Sequence, residues 1–598
     1  MPRVLRSVLT NFSSGELNPL LATRTDVASY FQGAKQCRNF ALLSEGGVMR
    51  RPGTTYLASL PAECRLIPFI FSDDEVAIIV LSNNRLDVYN TSGTAITSNY
   101  TTNCNWTTAQ LFELNFAQFG DTIYVTHRNN AIRKIFRASA SSFTVTTFAF
   151  DTHSSGYPIY QPYYKYADSA TTISTSGTSG SVTVTASANT FTNSWVGINI
   201  RKNKKTMTIT GYTSATQVTA TVNETLDNTT ATATWDEQTI SSLRGYPQAV
   251  TFHNSRLWFG GLFSRPAGIV ASKISEYTNF DVDDGESNDA IDLDIAGDQV
   301  NEVRHMISGK ELLIFTDGGE YYVPPSSDNT ITPGNISIEK QTPYGISRTA
   351  PQMFDQAAGY VQKNGKTIRE FIYSDIEDGY KSASVSVLAQ HLIDSPKQIA
   401  IMKGNTVRPE QYAFFLNNGT TQAGTLSQRG TPLVDGGSQS GSTLVMDGLT
   451  SAPVTNETFT IAGNATEYTI QGVTDNGSGE YSVTLDKTLA ATPGDNAVIT
   501  FTKGFFHTVP SIYQAEKVNA VVGNSSLGEY TVSGSNTITL TASAGAQATG
   551  VKVGFNYTPI IETMPVDKEL PEGPLTGLPK RISRAIVDMN STLDMTIK

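Results

Sequence analysis

RLIPFIFSDDEVAIIVLSNNRLDVY, residues Arg65–Tyr89, holds two apolar runs around an acidic turn, then Asn-Asn and a third alternating run. Period-two alternation punctuated by turn-forming pairs is the pattern of short antiparallel strands joined as a meander. The form recurs in FAQFGDTIYVTHRNNAIRKI (Phe116–Ile135), AVTFHNSRLWF (Ala249–Phe259) and KELLIFTDGGEYYV (Lys310–Val323). GYVQKNGKTIREFI (Gly359–Ile372) repeats it around Asn-Gly, a strong hairpin signal. Meanders at near-regular spacing predict an all-β fold, an irregular β-propeller-like platform whose units share form more than sequence. Helical signal is sparse. DGYKSASVSVLAQHL (Asp378–Leu392) is the best candidate, and Thr25–Cys37 predicts a short helix capped by Thr25 or Asp26.

Composition agrees. Of 598 residues only 16% are charged, while Phe and Tyr number 27 and 25 and Gly 48. That is a β-rich chain with many turns and weakly charged contact surfaces. A hydrophobic share of 39% excludes disorder, and a net charge of −11 argues against gripping a phosphate backbone. Cys37, Cys64 and Cys104 fit no metal spacing and predict reduced, buried thiols. Six scattered histidines form no HxH or HExxH motif, so no metal or cofactor is expected. Neither a secretory signal nor an 18-residue apolar stretch is read, predicting a soluble product made in a cytoplasm without stable membrane insertion.

Two segments break the style. Residues 166–242 and 438–505 are rich in Ser, Thr and Gly and poor in aromatics, and they resemble each other. SGSVTVTAS from Ser179 matches SGSTLVMDG from Ser440, and TITGYTSATQVTATVNETL from Thr208 matches TIQGVTDNGSGEYSVTLDKTL from Thr469. They predict two copies of one small β-barrel or sandwich inserted into loops of the platform. The expected order is an N-terminal segment 1–64, platform 65–165, insert 166–242, platform 243–437, insert 438–505 and a C-terminal β segment 506–598 returning to the platform.

No enzyme signature is present: no GxSxG, P-loop or dinucleotide fingerprint, and so no catalytic residue is assigned. Asp283, Asp284, Glu320 and Glu370 are available carboxylates, but no spacing pairs them. DVDDGESNDAIDLDIAGD (Asp281–Asp298) places Gly285 fifth where a calcium loop wants it sixth, which predicts a solvated acidic turn. Arg201, Lys202, Lys204 and Lys205 put four positive charges in one short stretch of the first insert. They read as a solvated hairpin tip or as a contact to phosphate or an acidic neighbour.

The first sixty residues carry a distinctive pattern, with Phe12, Gly15, Glu16, Arg24, Asp26, Tyr30, Gly33, Asn39 and Phe40 followed by Gly46, Gly47, Arg50, Arg51, Pro52, Gly53 and Thr54. It resembles the start of the tail nozzle proteins of short-tailed bacteriophages, the tail tubular protein B family. RLIPFIFS at Arg65, RGYPQAVTFHNSRLWFGG at Arg244, SKISEYTNF at Ser272, ITPGNISIEKQTPYGIS at Ile331, AQHL at Ala389 and GLPKRISRAIVDMNST at Gly577 follow in the family's order. The two inserts and the short C-terminus depart from it.

The resemblance implies a virion structural protein: a homohexameric ring below a portal–adaptor ring, flanked by tail fibres or spikes. It would serve as conduit and gate for double-stranded DNA that passes without sequence-specific binding, in a tail assembled in the host cytoplasm. It places Arg50, Arg51, Pro52 and Gly53 toward the adaptor. Separately from the resemblance, the differing composition of the inserts predicts that they form the distal tip, with the Arg201–Lys205 turn against the host envelope or in the channel. A glycan-degrading tailspike or a glycan-binding adhesin is the alternative.

Overall fold

The computed structural model describes residues 8–51, 60, 63–282, 285–297, 299–325, 330–376, 378–404, 411–418, 430–449, 453, 455, 457–478, 480–503, 506–508, 517–522, 525–533, 537–539, 552–555, 559–565, 569–570, 573–574, 585–587 and 597. The chain divides into two compact units, Met1–Pro52 with Tyr557–Lys598, and Gly53–Asn556.

In the first unit, strand Gly33–Arg38 pairs in parallel with Gly15–Glu16 and antiparallel with Ile560–Thr563. Tyr30 is buried and its hydroxyl donates to the Pro565 carbonyl at 2.8 Å. The helix expected over Thr25–Cys37 is a 3₁₀ turn, Ala28–Gln32, that runs directly into strand. Asp26 does not cap it, because its carboxylate is held by Arg24 Nε at 2.7 Å. Gly33 permits the tight turn-to-strand junction: a Cβ there would lie 2.4 Å from Leu17 Cδ1.

In the second unit, five four-stranded antiparallel meanders follow one another. Blade 1 comprises Arg65–Ile70, Val76–Ser82, Arg85–Asn90 and Ala95–Tyr100; blade 2 comprises Asn115–Phe119, Thr122–His127, Asn130–Ser139 and Ser142–Thr147. Blade 3 holds Pro247–His253, Arg256–Leu262, Arg265–Ala271 and Ile291–Asp294, and blade 4 holds Val303–Ser308, Leu312–Thr316, Glu320–Val323 and Glu339–Thr342. Blade 5 holds Gln352–Phe354, Ala357–Val361, Ile368–Ser374 and Gly379–Ser384. Among the described residues, blade 6 comprises a hairpin, Gln398–Met402 with Tyr412–Leu416.

Neighbouring blades share cores. Phe69, Ile79 and Trp106 pack with Ile123, Ile135 and Phe143 between blades 1 and 2. Tyr124 and Ile132 pack with Leu257 and Phe259 between blades 2 and 3, Trp258 with Ile314 between 3 and 4, and Phe315 with Tyr360 and Phe371 between 4 and 5. Second strands bury both faces, so Val76–Ser82 and Leu312–Thr316 read as continuous apolar runs rather than alternating ones. Gly261, at φ +65, lets blade 3 touch blade 4, since a Cβ there would sit 2.0 Å from the Val303 carbonyl oxygen. The fold is all-β and propeller-like.

Two expectations within the platform are corrected. Asp378–Leu392 is no helix: Gly379–Ser384 is the fourth strand of blade 5, followed by a 3₁₀ turn, Val387–Leu392. The alternating KSASVS favours strand, and Tyr380 stacks on Phe371 with ring centroids 4.8 Å apart. Nor is Asp281–Asp298 simply a solvated turn. Its Ile291–Asp294 is the fourth strand of blade 3, where Arg265 holds Asp292 at 2.8 Å and Asp294 at 3.1 Å, and Lys273 holds buried Asp289 at 3.1 Å. Asp283, Asp284 and Asp298 lie outside the described residues.

Between blades 2 and 3, residues 163–238 form one seven-stranded sheet around its own core of Val184, Trp195, Ile209, Val218 and Trp235. After blade 6, residues 430–503 form a six-stranded sheet around Met446, Phe459, Tyr468 and Val483. Six strands of each follow the same order, first–second–fifth–fourth–third–sixth, and a bridge joins the two ends: Ile173–Thr232 in one, Leu433–Val498 in the other. Both are rolled into barrels. Even the irregularities coincide, with register shifts between Ile209 and Gly211 and between Ile470 and Gly472. The sequence match at Ser179 and Ser440 needs one correction. Val184 opposes Val218 and Met446 opposes Tyr481, which shifts the second-strand alignment by one residue.

Candidate functional site: a polar collar around the propeller axis

The first strand of each blade begins beside its neighbour, and side chains at these starts join blade to blade. Arg65, fully buried, donates through its terminal nitrogen to the Leu111 carbonyl at 2.9 Å. Asn115 Nδ2 donates to the carbonyls of Gln248 at 3.0 Å and Arg304 at 3.2 Å. Gln248 Nε2 returns a bond to the Glu113 carbonyl at 2.7 Å. His305 reaches Asn115 Oδ1 at 2.7 Å and the Arg348 carbonyl at 3.1 Å. The Thr349 hydroxyl donates to the Pro396 carbonyl, and Gln398 Nε2 donates to the Leu66 carbonyl at 3.0 Å. Blades 1 to 6 are thereby linked in sequence and blade 6 is linked back to blade 1.

Around this collar Arg348 pairs with Glu113, and Arg128 with Glu302 at 2.7 Å. Arg304 lies 3.6 Å from Glu302 and 3.9 Å from Asp317. The two pairs and Arg304, with Gln248 and His305, line a cavity of about 20 Å³, space for a single water. Burial pushes His305 down to about 3 and His127 down to about 4. At neutral pH His305 therefore carries one ring proton, and the shorter contact, to Asn115 Oδ1, claims it. The other ring nitrogen faces the Arg348 carbonyl, also an acceptor, so the neutral imidazole ties the strands through one donated bond. Sequence reasoning missed the collar because its bonded partners lie 43 to 332 residues apart in the chain. The available signal was positional: Arg65, Asn115 and Gln398 each open the first strand of a blade.

In the basic stretch of the first insert only part is a solvated tip, and Arg201 makes the contact to an acidic neighbour. Lys202 and Lys205 flank a two-residue turn, Asn203–Lys204, and only its tip is exposed. Arg201 is buried, pairs through Nε and a terminal nitrogen with Asp236 at 2.9 and 2.7 Å, and lies 4.0 Å from the Tyr163 ring centroid. Lys202 is 1% exposed, and its Nζ donates to the Asn228 carbonyl at 2.7 Å. Burial lowers its pKa. Strand Asn199–Lys202 pairs on both sides, with Lys205–Ser214 and Trp235–Gln238, which draws both cations into the barrel. Lys204 is exposed and Lys205 half-buried.

The same region shows how the first barrel is anchored. Tyr163, Tyr164 and Tyr166 each carry an arginine over the ring: Arg201 at 4.0 Å, Arg265 of blade 3 at 4.2 Å and Arg244 at 4.4 Å. Arg244 also grips fully buried Glu237 through two 2.8 Å bonds. In the stretch RGYPQAVTFHNSRLWFGG, Arg244 thus fastens the barrel. Arg256 is likewise buried and donates to the Ser272 and Asp289 carbonyls, and burial lowers it to about 10.

Of the N-terminal candidates, Arg50 ends strand Val48–Arg50 with its side chain exposed, and Arg51 Nε donates to Asn39 Oδ1 at 3.0 Å. Pro52 and Gly53 lie outside the described residues. Cys104 is buried, which pushes its thiol up to about 12, while Cys37 and Cys64 are half-buried rather than buried. Glu320 is buried in blade 4, where it accepts from the Thr342 hydroxyl and the Tyr344 amide; Glu370 lies in blade 5. Among the described residues no three His, Cys, Asp or Glu side chains group as a metal site, and no helix is long and apolar enough to cross a membrane.

No family model matches the chain, and no curated protein matches it. A crystal structure of a putative 6-phosphogluconolactonase from Bacteroides uniformis is similar over 56% of this chain and 88% of its own, at 13% identity and a TM-score of 0.25. The computationally designed Ika8 protein is similar over 74% and 99%, at 8% identity and 0.23, and the WD40 repeats of RRP9 over 55% and 94%, at 8% and 0.18. Likeness this distant carries nothing about activity. The propeller-like fold rests on the strand order described above.

Proposed function

We propose that this chain is the ring-forming nozzle subunit of a short phage tail, a virion structural protein that meets an adaptor ring and tail fibres or spikes and lets double-stranded DNA pass. The reading rests on the ordered N-terminal and central motifs. The structural observation that supports it is the collar: side chains at the blade starts bond from blade to blade and leave space for one water between them. A duplex conduit must then lie between copies, which is the arrangement of a ring, and heterologous contacts that close on themselves build rings. The twin barrels are the feature that favours a glycan-binding adhesin instead. Native mass measurement of the purified chain tests the proposal: hexamers are expected, whereas trimers that bind or cleave cell-surface glycans would replace it with a spike or adhesin. Arg51→Ala in a virion should reduce tail occupancy if this segment meets the adaptor; full occupancy removes that placement.

A further inference from the structure

The joint between blades 4 and 5 packs Phe315 and Tyr322 against Tyr360, Phe371 and Tyr380, and it also encloses two carboxyls of blade 4. Glu311, 4% exposed, has a cation and a donor, Lys310 Nζ at 3.6 Å and the Tyr380 hydroxyl. Glu320 is 0% exposed, and among the described residues it pairs with no lysine or arginine. Its Oε2 accepts from the Thr342 hydroxyl and from the Tyr344 amide at 3.3 Å. Its Oε1 is shut off from solvent and has no hydrogen-bond partner. Tyr360 of blade 5 faces this carboxyl, and its hydroxyl lies 2.8 Å from Ser382 Oγ.

The charged groups nearby are engaged elsewhere. Arg369 lies 3.4 Å from the Tyr344 ring centroid and donates to Gln362 Oε1 at 2.9 Å and to the Ser382 carbonyl at 3.3 Å. Lys363 pairs with Asp317 at 3.6 Å, and Lys340, beside Gly319 on the outer strand, is exposed. Glu339 and Asp378 serve the hydroxyls of Tyr322 and Tyr373. A carboxyl buried without a cation sheds its charge by keeping its proton. The two donors on Oε2 oppose this without prevailing, since burial still raises the group above its ordinary value. A proton on Oε1 makes the bare oxygen a donor toward the Tyr360 hydroxyl, whose own proton turns to Ser382 Oγ. We infer that Glu320 is neutral in the folded chain with its proton on Oε1, that the line Glu320–Tyr360–Ser382 latches blade 5 to blade 4, and that the latch loosens as the proton leaves. Stability held by such a neutral carboxyl is fully present below the unfolded value of about 4.3 and is lost as pH rises through the folded one. Mild acid therefore firms this joint.

Glu320→Gln in the full chain tests it, because an amide supplies a permanent donor where the proton sat. Wild type and variant should have about equal stability to urea near pH 4.5. As pH rises from there to the folded value, the folding equilibrium constant of the variant should gain on the wild type about tenfold per pH unit. Hydrogen-exchange protection of the amides in Ala357–Val361 and Ile368–Ser374 should fall over the same range in the wild type only. Infrared spectra of the folded proteins near pH 5 should show the carbonyl band of a protonated carboxyl in the wild type that Glu320→Gln lacks. A variant weakened equally at every pH, or spectra without that difference, overturns the latch. If Glu320→Gln does not fold, Tyr360→Phe, which removes the acceptor and keeps the ring, should shift the protonated-carboxyl band of the wild type, and an unshifted band overturns the latch as well.

Discussion

Removing the Arg244 guanidinium strands a carboxylate in the interior. Glu237 is fully buried and takes two 2.8 Å bonds from Arg244, whose guanidinium also lies 4.4 Å from the Tyr166 ring centroid and 5.5 Å from that of Trp195. Losing one partner of a buried pair costs about 3–5 kcal/mol, chiefly because the survivor stays desolvated. The ring stack adds about 1 kcal/mol. Arg244→Ala should therefore weaken the first barrel by about 4 kcal/mol, read by urea unfolding through the fluorescence of Trp195 and Trp235. The pH dependence is diagnostic. Burial already raises the Glu237 pKa despite the arginine. Without Arg244 it rises further above the unfolded value of about 4.3. A carboxylate with a raised folded pKa destabilises fully above that pKa and not at all below the unfolded one. The deficit of the variant should thus shrink as pH falls from 7 toward 5, and adding Glu237→Gln should recover part of it at pH 7. A deficit under about 1 kcal/mol, the ordinary worth of an exposed ion pair, or one that ignores pH, would refute the reasoning.

Asn115→Ala should cost about 2–4 kcal/mol of platform stability in denaturant, since it orphans the Gln248 and Arg304 carbonyls and the His305 contact together. Gly261→Ala should abolish soluble protein at 37 °C or leave only a trace, measured as soluble yield, because its Cβ meets backbone at 2.0 Å in a left-handed conformation. Lys202→Glu should unfold the first barrel, reversing a buried charge near Asp227, whereas Lys204→Glu at the exposed tip should leave its melting unchanged within about 0.5 kcal/mol. In a virion, Lys204→Glu with Lys205→Glu, checked for unchanged melting, then separates adsorption from genome release.

Strand alternation and turn pairs were legible wherever they are local: Asn83–Asn84 and Asn254–Ser255 each close a two-residue hairpin turn, with Asn84 at φ 50 and Asn254 at φ 49. The kinship of the inserts was legible because the pair Ile209–Gly211 and Ile470–Gly472 preserves an irregular register. Side-chain direction was not. Arg201 and Lys202 look like a solvated cluster in one dimension, and only pairing with strands on both sides shows that they are enclosed. The helix expected at Asp378–Leu392 failed because spaced apolar residues fit either period until Gly379–Ser384 finds its partner strand. The collar was invisible for a plainer reason: ring closure brings together residues separated by whole blades.

The bridges that join first and last strands in each barrel have a consequence for how such a chain can grow. Leu433 and Val498 are neighbours, as are Ile173 and Thr232, so each barrel returns its two ends about one strand spacing, roughly 5 Å, apart. To the platform, some seventy inserted residues behave as a connection of a few residues. Closing a flexible loop of seventy residues instead of five would cost about 2 kcal/mol more. A module that returns the chain to where it left is nearly free of that entropic charge, so a barrel of this topology can be gained, lost or exchanged at a surface turn while the blades on either side keep their register.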